Sequence, residues 1–204
     1  MHDLLRAYAS HLATTQESGR DRRAAQQRLF DFYLATAAAA MDVLYPDERS
    51  QRPAVDRPAT PTPTLTDRES ARRWLDTERP NLVAVAACSA THGPPNHAVH
   101  LSTILDRYLE SGHYADAVDL HTHAHRAART CGDLTGQGWP LFGLGPASLR
   151  LDRYGQAAEH LSLALLRFRQ AGDGTGQARA LNNLGNVEAL RGHCDAAAAY
   201  HQQA

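Results

Sequence analysis

Two groups of side chains in this 204-residue chain have the types and spacing to do chemistry. The first is the H-x-H-x-H run His121, His123 and His125. On a helix only His121 and His125, four residues apart, share a face. That suits two metal ligands, whereas a zinc site takes three or four, and no Cys or carboxylate completes a local set. A solvated or partner-facing histidine cluster is the expectation, with no metal. The second group is Arg179, Asn182, Asn183 and Asn186, with Trp139, Phe142 and Arg150 upstream. Asn amides both donate and accept, which suits an extended peptide backbone, and a guanidinium can hold a carboxylate in bidentate fashion. Aromatic rings beside Arg are the residue types enriched at binding hot spots. The competing reading is packing, favoured for Phe142 over Trp139 and open for the asparagines, which can instead support the turn. Glu78, Asp119 and Glu159 have no visible acid–base counterpart, and no G-x-S-x-G or Cys/His motif occurs. These residues bind rather than break bonds, and no catalytic residue, cofactor or enzymatic activity is expected.

The bulk composition narrows the partners. Net charge is −1, so no basic footprint for nucleic acid or anionic lipid is present. All 21 basic residues are arginine and Ile104 is the single isoleucine, a pattern of GC-rich coding rather than of function. Cys88, Cys131 and Cys194 are odd in number and widely spaced, which predicts reduced, mostly buried thiols. No apolar run reaches the roughly 18–20 residues of a membrane span, and the N-terminus does not read as a signal peptide. The expected location is cytoplasmic.

The residues that bind must be positioned by helices, and the sequence shows how. Written in rows from His97, Gln137 and Gln177, the chain aligns without a gap at a 40-residue period. The joints Gly132-Asp133-Leu134-Thr135-Gly136-Gln137 and Gly172-Asp173-Gly174-Thr175-Gly176-Gln177 match closely. Leu101, Leu141 and Leu181 coincide, as do Ala117, Ala157 and Ala197. Each row reads as two helices: a first with Leu141, Leu144 and Leu149 (or Leu181, Leu184 and Leu190) at helical spacing, and an Ala-rich second. Turns fall near Gly112, Asp152 and Gly192, and the joint glycine ends the second helix. One such pair cannot bury its own stripe, so neighbours must stack into an α-solenoid. Pro146, inside the first helix of row two, predicts a kink or break.

Ahead of the array come further pieces. A short amphipathic helix is expected over 1–17, and a longer one over 22–45 with Leu29, Tyr33, Ala37, Met41 and Leu44 on one stripe. Residues 46–66, rich in proline, read as an extended linker. Asp67 caps a helical lead-in over 67–96. The domains expected are therefore 1–45, 46–66, 67–96 and the repeats 97–204, divided at 97–136, 137–176 and a truncated 177–204.

The small residues Gly145, Ala157 and Ala164, and again Gly185, Ala197 and Ala204, occupy tetratricopeptide (TPR) signature positions. The all-α architecture is therefore expected to be TPR-like. The run Ala71-Arg72-Arg73-Trp74-Leu75-Asp76-Thr77-Glu78-Arg79-Pro80-Asn81-Leu82 resembles the stretch preceding the TPR arrays of actinobacterial antibiotic-pathway regulators, the SARP type that also carries a STAND (NB-ARC) ATPase. Met1-His2-Asp3 resembles the MHD motif closing the NB-ARC module, in which the motif His contacts nucleotide phosphates. The resemblance covers essentially the whole chain. It implies a fragment of a larger regulator, or a product translated from an internal Met, that starts at the MHD motif and stops within the third repeat. Without a P-loop, His2 is expected to have no nucleotide site.

In intact relatives such arrays restrain the ATPase until a signal binds, which implies a sensor that binds a protein, peptide or small ligand in its concave groove. A freestanding scaffold or adaptor is the alternative, and a metal-binding or enzymatic protein on the His cluster is a third. The expected partner is a protein or peptide, or a small-molecule signal, with no direct nucleic-acid or membrane contact. A homo-oligomer through the uncapped last repeat is a further expectation.

Overall fold

The computed structural model describes residues 17–204, so the helix expected over 1–17 and the role of His2 lie outside the described residues. Eight α-helices and one 3-10 helix follow in order, with no strand among the described residues. They are α1 (Gly19–Leu44), the 3-10 helix Pro46–Gln51, α2 (Arg68–His92), α3 (Pro95–Leu109) and α4 (Tyr114–Cys131). Then come α5 (Leu134–Arg150), α6 (Tyr154–Ala171), α7 (Gly174–Leu190) and α8 (Cys194–Gln203).

The repeat joint carries both a stop and a start signal. Gly132 and Gly172 end α4 and α6 in the left-handed region, with φ of 67° and 71°, where glycine lacks the Cβ penalty. The next residue of each joint, Asp133 or Asp173, caps the following helix: its Oδ1 accepts from the Gly136 or Gly176 N–H at 2.9 Å. Within each pair the turn is also left-handed, at Gly112, Asp152 and Gly192. Asp67 caps α2 through a reciprocal box with Ser70, whose N–H donates to its side chain at 2.8 Å.

Each helix packs on its neighbours in sequence, and the first helices of successive rows, α3, α5 and α7, also touch one another. This is the stacking of an α-solenoid. The pair α1 and α2 stacks ahead of row one in the same manner, α1 against α3 and α2 against both α3 and α4. Two apolar clusters result. One runs through α1 to α4 around Met41, Leu75, Leu101, Ile104, Tyr108 and Leu120; the other fills rows two and three around Leu141, Leu161, Phe168 and Leu184.

Close approach of the helices in rows two and three depends on missing side chains. A Cβ at Gly145 would lie 2.5 Å from Leu161 Cγ, and one at Gly138 or Gly176 would lie 2.5 Å from the Phe168 ring. Beside the first cluster a polar strut ties α2, α3 and α4. The buried Tyr108 hydroxyl donates to Asp76 at 2.6 Å and accepts from Arg79, which pairs with Asp116 at 2.7 Å. Burial, then the bond to Asp76, pushes the Tyr108 phenol up to about 12.

Several expectations need correction. Residues 46–51 are not extended but form a 3-10 helix, because Pro46 at its first position loses a donor that needs no partner. Leu29 is 49 % exposed, since the buried stripe of α1 is carried by Phe30, Leu34, Ala37, Met41 and Leu44. Leu190 is 62 % exposed at the end of α7 rather than part of its apolar stripe. Cys131 and Cys194 are exposed and Cys88 half-buried, so the thiols are free but not mostly buried. Pro146 does not break its helix. α5 runs unbroken through both Pro140 and Pro146. The cost of about 3 kcal/mol is offset by burial of Leu141, Phe142, Leu144 and Ala147 around it.

Candidate functional site

The first helices of the rows line a cavity of about 570 Å³. Its lining includes Ser102 and Asp106 of α3 with Glu110 at that helix's C-cap, Trp139 of α5, and Thr175 and Arg179 of α7. The remaining wall comes from outside the repeats: Glu48 and Gln51 of the 3-10 helix, and Arg52 just after it. A smaller cavity of about 180 Å³ adjoins it, sharing Asp106, Glu110 and His121 and adding Gly143, Pro146 and Arg150.

The 40-residue register explains why these positions face inward. Thr103, Asp106 and Glu110 line the site from row one, and Gly143, Pro146 and Arg150 occupy the same positions in row two. Continued one period, that set is Asn183, Asn186 and Leu190. Asn182 continues Ser102, and Arg179 continues Trp139. Asn182 and Asn186 are exposed on α7 and Asn183 is half-buried.

The expected aromatic and arginine residues meet directly. The Trp139 ring packs edge-on against Phe142, with centroids 5.8 Å apart, and against Phe168 at 5.0 Å. The Arg179 guanidinium lies 5.2 Å from the Trp139 centroid and 4.8 Å from that of Phe142. At these distances the rings attract the Arg179 cation, which also acts on the Glu110 carboxylate nearby. Phe142 itself is only 3 % exposed, so its part is to support Arg179 from below. Trp139 both packs and lines the cavity. Arg150 is brought to the smaller cavity, apart from Arg179.

The charged wall of α3 is internally paired. Arg107 lies 3.2 Å from Glu110, 3.6 Å from Glu48 and over the Tyr45 ring, fastening the 3-10 helix to the array. Burial, then the neighbouring Asp106, raises the Glu110 carboxyl; Arg107 and Arg179 oppose that shift.

His121, 2 % exposed, joins α4 to this wall. Its Nδ1 lies 2.7 Å from Ser102 Oγ and its Nε2 3.4 Å from Asp106 Oδ1. A proton on Nε2 facing Asp106 leaves Nδ1 to accept from the Ser102 hydroxyl, a tautomer assigned from this network. Ser102 sits in mid-helix at 1 % exposure, where neighbouring backbone N–H groups are spent on the helix, so the three residues form a strut rather than a nucleophilic site.

His125 lines a different surface, with Arg126 and Arg129, and so does not meet His121 on one ligand. No group of three His, Cys, Asp or Glu among the described residues could hold a metal ion. Sequence reasoning missed Arg52, Glu48, Ser102 and Asp106. The last two were findable, because the row register already placed them opposite Asn182 and Asn186.

Helix pairs with small residues at their contacts and a groove lined by first helices define a TPR-like α-solenoid. Residues 140–204 match the tetratricopeptide repeat family model. Regulatory protein AfsR of Streptomyces griseus is 33 % identical over 237 aligned positions, covering 94 % of this chain and 24 % of that protein. AfsR of Streptomyces coelicolor is 32 % identical, covering 91 % of this chain and 19 % of its own length. The chain thus spans a quarter or less of the regulators it matches. These relatives agree with the expected resemblance to a SARP-type regulator in its TPR-containing region. No solved structure matches the chain.

Proposed function

We propose that this chain is the TPR sensor and protein-interaction module of a STAND-type transcriptional regulator, acting in the cytoplasm, and that its concave groove binds a segment of partner protein. The observation that carries this reading is the register itself. Ser102 and Asp106 of row one and Pro146 of row two line the cavities, and their register counterparts in row three are the exposed Asn182 and Asn186, beside an arginine held on two aromatic rings.

Exposed asparagines on a groove satisfy the backbone of an extended segment, and a guanidinium held against two rings loses little freedom when it takes a carboxylate. Within a longer regulator, a partner that binds one curvature of the solenoid better than another shifts its population and so signals to the rest of the protein. Selecting peptides from a displayed random library on the 204-residue chain tests the reading. Enriched peptides should bind in 1:1 ratio and lose about tenfold or more in affinity with Asn182→Ala/Asn186→Ala, as two hydrogen bonds at about 0.5–1.5 kcal/mol each imply. Thermal stability should move by no more than about 1 kcal/mol, as for exposed substitutions. Unchanged affinity with a large drop in melting temperature would make the asparagines structural.

A further inference from the structure

One face of α4 carries a second polar surface, which shares no residue with the two groove cavities. An open depression of about 430 Å³ is lined there by Thr122, His125, Arg126, Arg129 and Thr130. Thr122, Arg126 and Arg129 stand at i, i+4 and i+7 and form one stripe of the helix, with His125 half-buried beside it. Unlike the groove, this lining holds no carboxylate.

The donors of this stripe are unspent. Arg126, Arg129 and Thr122 are exposed, and none of the three has an ion pair or a side-chain hydrogen bond among the described residues. The Thr130 hydroxyl is committed to the Ala127 carbonyl at 2.7 Å. Asp119, a turn before Thr122, acts on His123, as does Arg126. Burial lowers the pKa of His125; Arg129, Arg167 of α6 and His160 push the same way against the Gln137 backbone. A second helix thus adds a cation to the neighbourhood.

Row one departs from the repeat at this place. His125 and Arg126 occupy the positions of Leu165 and Leu166 in row two, and Leu165 is 6 % exposed within the second apolar cluster. A histidine at such a packing position, its Nδ1 buried without a partner, forgoes the apolar burial a leucine supplies. Like charges on one helix face also repel. Row one therefore gathers positive charge where stacking of the helices does not call for it.

We propose that this face of α4 docks a phosphorylated side chain of a partner protein, with Arg126 and Arg129 holding phosphate oxygens and the Thr122 hydroxyl donating to a third. A phosphate monoester carries about −1.5 to −2 charges and three strong acceptors, which arginine clusters answer with charge-assisted hydrogen bonds. The patch is one helical stripe wide, and the net charge of −1 leaves no extended basic tract for a nucleic-acid strand or an anionic bilayer. The inference is independent of the groove reading above.

The test uses a short phosphoserine peptide flanked by glycines and carrying a neutral dye, with its serine and glutamate versions as controls. Each is titrated with the 204-residue chain at low ionic strength and followed by fluorescence anisotropy. The expected result is saturable binding of the phosphopeptide, at least about tenfold tighter than either control, since hydrogen bonds between charged groups are about twice as strong as neutral ones. Arg126→Gln/Arg129→Gln should weaken it about tenfold or more, with the melting temperature unchanged because both positions are exposed. Arg169→Gln, at the position of Arg129 one row on and outside the depression, should leave the affinity as it was.

Equal affinity for the three peptides, phosphopeptide binding indifferent to Arg126→Gln/Arg129→Gln, or a loss that Arg169→Gln reproduces overturns the proposal. So does tighter binding of an oligo-dT strand or of phosphatidylglycerol vesicles through the same two arginines, which would make the face a nucleic-acid or lipid surface. In each of those outcomes, library-selected peptides that lose affinity with Asn182→Ala/Asn186→Ala and keep it with Arg126→Gln/Arg129→Gln would leave the partner-groove reading standing.

Discussion

Replacing Phe168 by Ala should loosen the array at one place and nowhere else. Phe168 has no exposed surface, stacks edge-on to Trp139 at 5.0 Å, and fills the space left by both Gly138 and Gly176. It therefore pins α6 to α5 within its own row and to α7 in the next. Truncation removes that burial and leaves a hole that glycines cannot collapse to fill, which costs about 3–5 kcal/mol. The lost ring pair is worth about 0.5–1.5 kcal/mol, part of the same loss. For a domain of this size about 4 kcal/mol lowers the melting temperature by roughly 8–16 °C. Because a solenoid's stability is a sum of neighbour contacts, the damage should stay local. Hydrogen exchange should rise in α6 to α8 and remain unchanged in α1 to α3. Phe168→Leu, which keeps much of the volume, should lose less than half as much. Urea unfolding followed by circular dichroism gives the energy, and peptide-resolved exchange gives the location. A loss under about 1 kcal/mol, or exchange rising evenly along the chain, would refute the idea that Phe168 joins rows two and three.

Other outcomes can be checked with the same methods. Gly145→Ala sets a Cβ 2.5 Å from the branch carbon of buried Leu161 and should cost about 1–3 kcal/mol by thermal melt. Gly185→Ala meets the ring of His201, which is exposed near the end of α8 and can swing away, so its loss should be clearly smaller. Asp133→Ala and Asp173→Ala each remove a helix cap at equivalent joints and should each cost about 1 kcal/mol. Burial is the main cause that lowers the pKa of His100, His125 and His160. The unfolded chain then takes up protons first, so stability should hold at pH 7.5 and fall as pH drops through the ordinary histidine range near 6.5. Melting curves between pH 7.5 and 5.5 test this, and His125→Gln/His160→Gln should flatten the trend.

The array was legible because the same 40 residues are written repeatedly, so glycine stops, turns and small contact positions check one another across rows. Trp139, Arg179 and the asparagines were legible for the same reason. What escaped were contacts between segments far apart in sequence. Nothing local marks Glu48 or Arg52 as facing α3, since the 3-10 helix owes its place to Asp42 and Arg107. Leu190 was misread because helical spacing continues to the last turn of α7, where no neighbour covers it. At Pro146 the helix stays unbroken. Its backbone penalty is local, while the burial that overrides it comes from α4 and α6 on either side.

The joint between rows, a left-handed glycine followed at once by a capping aspartate, has an evolutionary consequence. Each unit carries its own terminator and its own initiator within two adjacent codons, and presents similar contacts before and behind. Misaligned recombination between two such joints stays in frame and deletes or inserts one whole helix pair whose neighbours can still stack. Array length, and with it the reach of the groove, can then change in a single genetic event, while point substitutions at register positions such as 106, 146 and 186 retune what each unit recognises. Residues 46–52 lie outside that exchange, because they are not repeated. Gains or losses of rows would lengthen or shorten the surface offered to a partner and would also replace the part of the cavity lining drawn from α5 and α7.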